Sequence, residues 1–185
     1  MLNKPTTEVL NSIDISNLEQ FLAPQRVNEG FFSRPAGVEH YRLLAWLSEQ
    51  FQDTTITEIG TLDGMGLTAL CHNPSNKVVS WDIKDCTWKG TVPPNGERKI
   101  VYDGYIDEVM KSPVIFYDGA HEGKDEREFL FEIIKRNWKG VIFWDDIHLN
   151  KEMEEFWQNC INAGYELEDW TDIGHACGTG VIYFK

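Results

Sequence analysis

The sequence has no long apolar run and no paired cysteines. No apolar stretch approaches the roughly 20 residues of a membrane-spanning helix, and the N-terminal MLNKPTTEVLNS lacks the basic and apolar regions of a secretory signal peptide. We therefore expect a cytoplasmic protein that does not enter a membrane. The cysteines lack a Cys-x-x-Cys pair, which disfavours a zinc site or a disulfide scaffold and predicts reduced, mostly structural thiols: Cys71, Cys86, Cys160 and Cys177.

Basic residues are also scarce. The chain has 17 Lys and Arg against 30 Asp and Glu, giving a net charge of -13 at pH 7. The basic residues form no patch in sequence, whereas binding to nucleic-acid phosphates needs clusters of Lys and Arg. Nucleic acid is therefore an unexpected partner. The acidic excess is most simply a solubilising surface, although it would also attract metal ions or repel acidic substrates.

Strand and helix patterns alternate along the 185 residues. Strands are predicted at 54–60, 77–83, 98–102, 113–117, 140–146, 165–172 and 179–185. Helices are predicted near 16–22 and 38–51, after Gly66, and at 124–138 and 150–164. Near-continuously apolar strands between helices indicate a mostly parallel sheet covered on both faces, and the last two strands form an antiparallel hairpin. We predict one domain with a doubly wound, Rossmann-like α/β core at 54–185, preceded by a helical segment at 1–53.

In such sheets ligands bind outside the carboxyl ends of the strands, so the residues that follow each strand are the candidates for chemistry. From the first to the fifth strand, these are Glu58, Gly60, Asp63, Gly64 and Gly66, then Asp82, Asp103 and Asp118, and finally Asp145 and Asp146.

The glycine loop ITEIGTLDGMG lies at the first strand-to-helix turn, where missing Cβ atoms permit positive φ and close approach of a ligand. A P-loop needs Gly-Lys-Ser/Thr, but Gly66 is followed by Leu67 and Thr68. A dinucleotide fingerprint needs G-x-G-x-x-G, whereas this loop reads G-x-x-x-G-x-G. The loop therefore fits neither of these nucleotide-binding patterns.

The loop resembles the first motif of class I S-adenosylmethionine-dependent methyltransferases, in which an acidic residue and spaced glycines hold the amino-acid end of the cofactor. The resemblance assigns this role to Glu58, Gly60, Asp63, Gly64 and Gly66. In that family a second acidic residue, here Asp82 in VVSWDIK, binds the ribose hydroxyls. Asp103, after the next strand, is assigned to the same cofactor site. Nicotinamide binding uses a carboxylate in the same place, so Asp82 alone does not decide between the two cofactors.

The stretches VIFYDGAHEG and GVIFWDDIH resemble the metal-dependent small-molecule O-methyltransferases, the catechol and macrocin or sugar groups. The resemblance implies that Asp118, Asp145 and Asp146 bind Mg²⁺. Such an ion would lower the pKa of a substrate hydroxyl and orient its oxygen toward the sulfonium methyl. The alternative is that these acids face solvent or cap the helix that follows.

Histidine is the natural general base near neutral pH. His121 and His148 would both project from the active face, beside Asp118 and Asp146, whereas His175 lies in the hairpin loop IGHACGTG and is interpreted as a turn residue. His121 ranks first because histidine recurs in the related Asp-Gly-x-His motifs. Any of them could equally be a polar residue without a catalytic role.

An aromatic stretch precedes the helix predicted at 38–51. In the resembled family, a segment before the first strand closes over cofactor and substrate, which makes Phe31, Phe32 and Arg34 a candidate lid. The aromatic residues could instead belong to the core or to a contact between copies in a homo-oligomer.

These features predict S-adenosylmethionine-dependent methyl transfer to a hydroxyl of a small molecule or sugar, with help from Mg²⁺. Two alternatives stay open. One is an NAD-dependent oxidoreductase, which the glycine spacing and the lack of a Tyr-x-x-x-Lys set disfavour. The other is a catalytically silent protein that binds the cofactor or a partner.

Overall fold

The computed structural model describes residues 1–84 and 90–185. Its strands are β1 (Thr55–Ile59), β2 (Lys77–Asp82), β3 (Gly96–Ile100), β4 (Val114–Tyr117), β5 (Gly140–Asp145), β6 (Glu166–Asp169) and β7 (Thr179–Phe184). In the described chain they form one sheet in the order β3-β2-β1-β4-β5-β7-β6. The first five strands are parallel, while β7 pairs antiparallel with both β5 and β6. The predicted α/β sheet with a C-terminal antiparallel hairpin is confirmed.

The α-helices of the described chain are α1 (Thr7–Ser12), α2 (Pro24–Glu29), α3 (Tyr41–Glu49), α4 (Met65–Leu70), α5 (Tyr105–Val109), α6 (Lys124–Lys135) and α7 (Lys151–Asn162). The helix predicted at 16–22 is a 3-10 helix, Ser16–Phe21. The sequence did not predict α1, α2 or α5, because helices of five or six residues are too short to show a helical period. The strand predicted at 98–102 begins and ends two residues earlier, since β3 is a half-buried edge strand with weak patterning.

Two apolar layers cover the sheet. Val114 and Phe116 of β4 point into the layer formed with the N-terminal segment, α3 and α4. Ile115 and Tyr117 point into the opposite layer, which contains the apolar stripes of α6 and α7. Because successive side chains of a strand face opposite sides, both sets must be apolar, and this explains the continuous apolar strands.

Cys71 and Cys160 are buried and Cys177 is partly buried, and all three are free thiols. Cys86 lies outside the described residues. Within residues 1–84 and 90–185, no helix has the length and hydropathy to cross a bilayer.

Candidate cofactor and acceptor site

A cavity of about 1020 Å³ opens at the carboxyl ends of β1, β2, β3 and β4. Its volume is at the upper end of the range typical of small-molecule sites. The lining includes Gly60, Asp82, Asp103, Asp118 and His121. The fold therefore gathers, around one cavity, residues that follow four different strands.

The lining of the cavity is acidic and aromatic. Its described carboxylates outnumber its basic side chains, Lys84 and His121, by six to two: Asp82, Asp103, Asp118, Asp125, Glu128 and Glu132. Apolar contact area comes from Trp81, Tyr102, Tyr105, Tyr117 and Phe129. Such a lining attracts cationic ligands and repels phosphates.

Two glycines of the loop are required by contacts within the chain. A Cβ at Gly60 would overlap the backbone carbonyl oxygen of Asp118, and a Cβ at Gly66 would overlap the carboxyl group of Glu58. Gly60 and Gly64 also have positive φ angles of 94° and 80°. Gly60 lines the cavity, whereas Gly64 is the N-cap of α4 and Gly66 lies in the first turn of that helix.

Two acids assigned to the cofactor contact other parts of the protein. Glu58 is 1% exposed and accepts a hydrogen bond from the Ser80 hydroxyl. Burial raises the pKa of the Glu58 carboxyl well above its ordinary value. The Asp63 carboxylate lies 2.5 Å from Nε of Arg26 in α2. Neither Glu58 nor Asp63 is part of the cavity lining, and both side chains are held by contacts with other parts of the protein.

Asp82 orders the loop while facing the cavity. Its Oδ2 accepts hydrogen bonds from the backbone N–H groups of Thr61, at 3.0 Å, and Leu62, at 2.9 Å. Asp103 follows β3, the strand that pairs with β2, and is an exposed residue of the same cavity lining. Both acids were predicted to bind the cofactor, and Asp82 also holds the backbone of the glycine loop.

Three aspartates and three histidines meet beyond the carboxyl ends of β4 and β5. We call this group the His-Asp cluster: His40, Asp118, His121, Asp145, Asp146 and His175. Sequence reasoning missed His40 and interpreted His175 as a turn residue. His40 lies immediately before α3, and no spacing pattern connects it with the other members.

His121 is fixed in the cluster from several directions. Its Nε2 lies 3.0 Å from Oδ1 of Asp118 and 3.7 Å from Oδ2 of Asp146. The backbone N–H of His121 donates to Oε1 of Glu126, and its carbonyl accepts from Nδ2 of Asn150. His121 and Asp146 both have positive φ, 55° and 57°. Strained backbone of this kind concentrates at functional sites, where surrounding contacts hold it in place.

Asp118 and Asp145 each lie near a histidine nitrogen, and the pKa of both partners is shifted in each pair. Burial lowers the pKa of His40, but the Asp145 carboxylate outweighs burial and raises it to about 9. Burial likewise lowers the pKa of His121, but the hydrogen bond of its ring with the Asp118 carboxylate and the nearby negative charge outweigh burial, so the pKa is raised. Burial raises the pKa of Asp118, whereas the charge on His40 outweighs burial and lowers that of Asp145.

The donor atoms of the His-Asp cluster do not suit the predicted Mg²⁺ ion. Among the described residues, two groups bring possible ligand atoms within 4.8 Å of one another: His40 with Asp145 and His175, and Asp146 with His175 and Cys177. Both groups contain imidazole nitrogen, whereas Mg²⁺ prefers oxygen ligands in a near-ideal octahedron. Asp118 belongs to neither group, so the three aspartates do not form an oxygen-only site.

Other predicted residues lie outside the cavity lining and the cluster. The His148 ring pairs with the Asp169 carboxylate of β6, at 2.9 Å. Phe32 is 3% exposed and belongs to the core, which favours the core alternative over the lid for this residue. The guanidinium of Arg34 stacks 4.0 Å from the centre of the Phe31 ring and pairs with Glu39 at 2.6 Å. The segment before α3 is therefore held by contacts with the core and within the N-terminal region.

No protein-family model matches the chain, and no curated protein is significantly similar to it. Solved structures do match. An O-methyltransferase from Bacillus cereus in complex with S-adenosylhomocysteine is 16% identical, with 96% of each chain covered and a TM-score of 0.56. A putative caffeoyl-CoA O-methyltransferase from Staphylococcus aureus is 14% identical, with 94% of this chain and 93% of that one covered and a TM-score of 0.59.

A third match is the MycE methyltransferase of the mycinamycin biosynthetic pathway, in complex with Mg and S-adenosylhomocysteine. It is 12% identical over 77% of this chain and 47% of that one, with a TM-score of 0.56. At these identities the likeness concerns the fold. The chain has the fold of class I O-methyltransferases, as the two motif resemblances predicted.

Proposed function

We propose that the protein is an S-adenosylmethionine-dependent methyltransferase that acts on a hydroxyl group of a small molecule or sugar. The observation that carries this proposal is one cavity that joins Asp82 and Asp103, on the cofactor side, to the paired His121 and Asp118. The fold shared with solved O-methyltransferases supports it.

The charge of the cavity favours S-adenosylmethionine over a nicotinamide dinucleotide. S-Adenosylmethionine carries a sulfonium and an ammonium cation, which the acidic lining would attract. The pyrophosphate of NAD would be repelled by the same carboxylates. In this proposal, Asp82 and Asp103 accept hydrogen bonds from ribose hydroxyls, and the aromatic side chains of the lining give apolar contact to the adenine ring.

In the proposed reaction, His121 removes the proton from the acceptor hydroxyl. The acceptor oxygen forms a bond to the methyl carbon while the bond from that carbon to sulfur breaks. The electron pair of the broken bond stays on sulfur, which becomes the neutral thioether of S-adenosylhomocysteine. With Nε2–H donated to Asp118, Nδ1 of His121 carries the lone pair and has no hydrogen-bond partner among the described residues. This atom is buried, so the side chains that cover it must shift before an acceptor hydroxyl can reach it. Asp118 would thus select the tautomer and stabilise the imidazolium that forms. Mg²⁺ has no part in this mechanism, because each predicted aspartate ligand has a histidine nitrogen within 3.3 Å.

The test is transfer of a labelled methyl group from S-adenosylmethionine to a panel of catechols and sugars. We expect transfer by the wild type, and a loss of about 100-fold or more in His121→Gln, because general bases contribute about 10²–10⁴-fold. His72→Gln is the matched control, since His72 pairs with Glu49 away from the cavity. Undiminished methyl transfer by His121→Gln would show that His121 is not the general base. Binding of S-adenosylhomocysteine without transfer to any acceptor would favour the catalytically silent alternative.

A further inference from the structure

We propose that His40, Asp145 and His175 form a binding site for a divalent transition-metal ion of the Zn²⁺, Co²⁺ or Fe²⁺ class, in preference to Mg²⁺. The proposal does not depend on the methyltransferase function, because it concerns the protein without cofactor or acceptor.

Three separate parts of the chain bring the ligands together. His40 immediately precedes α3, Asp145 ends β5, and His175 lies in the loop between β6 and β7. The His40 and Asp145 side chains are 6% and 3% exposed, and that of His175 is 23% exposed. The site is therefore buried on two sides and open on the third, where water or a ligand could complete the coordination.

The spacing of the donor atoms suits a small ion. Nδ1 of His40 lies 3.3 Å from Oδ1 of Asp145, and Nδ1 of His175 lies 3.7 Å from Oδ2 of Asp145. Nitrogen and oxygen ligands held at about 2.0–2.2 Å in a tetrahedron are about 3.3–3.6 Å apart. These distances involve different oxygens of Asp145, and the ligand atoms of the three residues lie within 4.8 Å of one another. An ion could therefore bind once the Asp145 carboxylate and the His175 ring rotate toward it.

Two of the donor atoms lack a hydrogen bond. Nδ1 of His40 and Oδ1 of Asp145 are both inaccessible to solvent and have no hydrogen-bond partner in the described protein. Their separation of 3.3 Å allows an electrostatic attraction but without hydrogen-bond geometry. Buried polar atoms are almost always satisfied, so a pair left unsatisfied and turned toward each other indicates a missing partner. A metal ion ligated by both atoms would satisfy them, and its binding would release the proton that the His40 ring holds beside the Asp145 carboxylate.

The type of ligand selects the metal. Two imidazoles with one carboxylate suit Zn²⁺, Fe²⁺, Co²⁺ and Ni²⁺, whereas Mg²⁺ favours carboxylates and water. The hydrogen bond of 2.7 Å between Nδ1 of His175 and Oδ1 of Asp146 would be exchanged for the metal bond, with release of the imidazole proton. Asp146 would then lie beside the ion as a further oxygen donor.

The experiment uses the full chain, stripped with a chelator and then titrated with Co²⁺, Zn²⁺ and Mg²⁺ by calorimetry and visible absorption. We expect one Co²⁺ per chain with the absorption bands of a nitrogen- and oxygen-bound ion, displacement of Co²⁺ by Zn²⁺, and binding of Mg²⁺ at least about 100-fold weaker. Absence of Co²⁺ and Zn²⁺ binding, or binding of Mg²⁺ as tight as that of Zn²⁺, would overturn the proposal.

Variants locate the ion. His175→Gln should weaken Co²⁺ binding by roughly 100-fold, since losing even an outer-shell partner of a ligand costs about 10- to 100-fold. His40→Gln should do the same, and circular dichroism shows whether this buried variant folds. His72→Gln, the same substitution at a histidine paired with Glu49, should bind like the wild type. Wild-type affinity in a folded His175→Gln protein would contradict the site. None of these outcomes depends on whether methyl transfer is observed.

Discussion

The backbone of Gly60 lies so close to the carbonyl oxygen of Asp118 that no side chain fits between them. The contact joins the end of β1 to the end of β4, since the N–H of Asp118 also donates to the carbonyl of Ile59 at 2.8 Å. The start of the glycine loop is thus held against the aspartate that pairs with His121.

We predict that Gly60→Ala destabilises the protein by more than about 2 kcal/mol, because positive φ alone costs about 1–2 kcal/mol and the overlap with backbone adds to it. Gly164→Ala is the control, since Gly164 has a φ of 75° but nothing within 4 Å of an added Cβ. It should cost about 1–2 kcal/mol. Urea unfolding measures the loss of stability in each variant. Equal losses would mean that the backbone shifts to relieve the overlap at residue 60.

The buried Glu58 carboxyl should make stability depend on pH. Its folded pKa is raised above the ordinary 4.5, so the folded state holds the proton more tightly than the unfolded state does. The wild type should therefore lose stability as pH rises from about 4.5 through the folded pKa, by at most about 1.4 kcal/mol per pH unit. Glu58→Gln should lack this loss, so the variant gains relative to the wild type as pH rises. Parallel stability curves in urea titrations across this range would show that Glu58 does not carry the effect.

The pairing of His121 with Asp118 predicts the acid limb of the pH profile. A general base must be neutral, so the rate should rise with pH through the pKa of His121, which lies above 6.5. In Asp118→Asn the hydrogen bond to a charged partner is lost while burial still lowers the pKa, so titration should move to lower pH. NMR titration of the His121 ring measures this directly. An unchanged titration of His121 in Asp118→Asn would show that the Asp118 charge does not set the pKa of His121.

Asp82 and Asp103 should differ in how they affect cofactor binding and stability. Asp103→Asn should weaken S-adenosylhomocysteine binding about tenfold through a lost ribose contact, and leave the melting temperature of the free protein unchanged. Asp82→Ala should weaken binding and also lower that melting temperature, because two backbone N–H groups of the loop lose their acceptor. Equal melting temperatures for the two variants would show that Asp82 does not hold the loop.

The sequence predicted the sheet and much of the site for a common physical reason. Continuous apolar runs predict buried parallel strands. The residues at the carboxyl ends of parallel strands lie at one edge of the sheet, so Asp82, Asp118 and Asp145 could be placed together. His40 and His175 could not be placed, because packing of the N-terminal segment and of the β6–β7 loop brings them to the cluster.

The glycine loop shows the same limit. Its pattern indicated close approach, and the structure does bring atoms close to the loop, but at Gly60 and Gly66 these atoms belong to Asp118 and Glu58. One sequence does not reveal whether a missing Cβ makes room for a ligand or for another part of the chain.

Calorimetric titration of the wild type with S-adenosylhomocysteine and, separately, with NAD tests the central claim most directly. The proposed function predicts one molecule of S-adenosylhomocysteine bound per chain, and the acidic lining predicts no measurable binding of NAD at the same concentrations. Binding of NAD without binding of S-adenosylhomocysteine would contradict the assignment of the cavity to a methyl-donor cofactor.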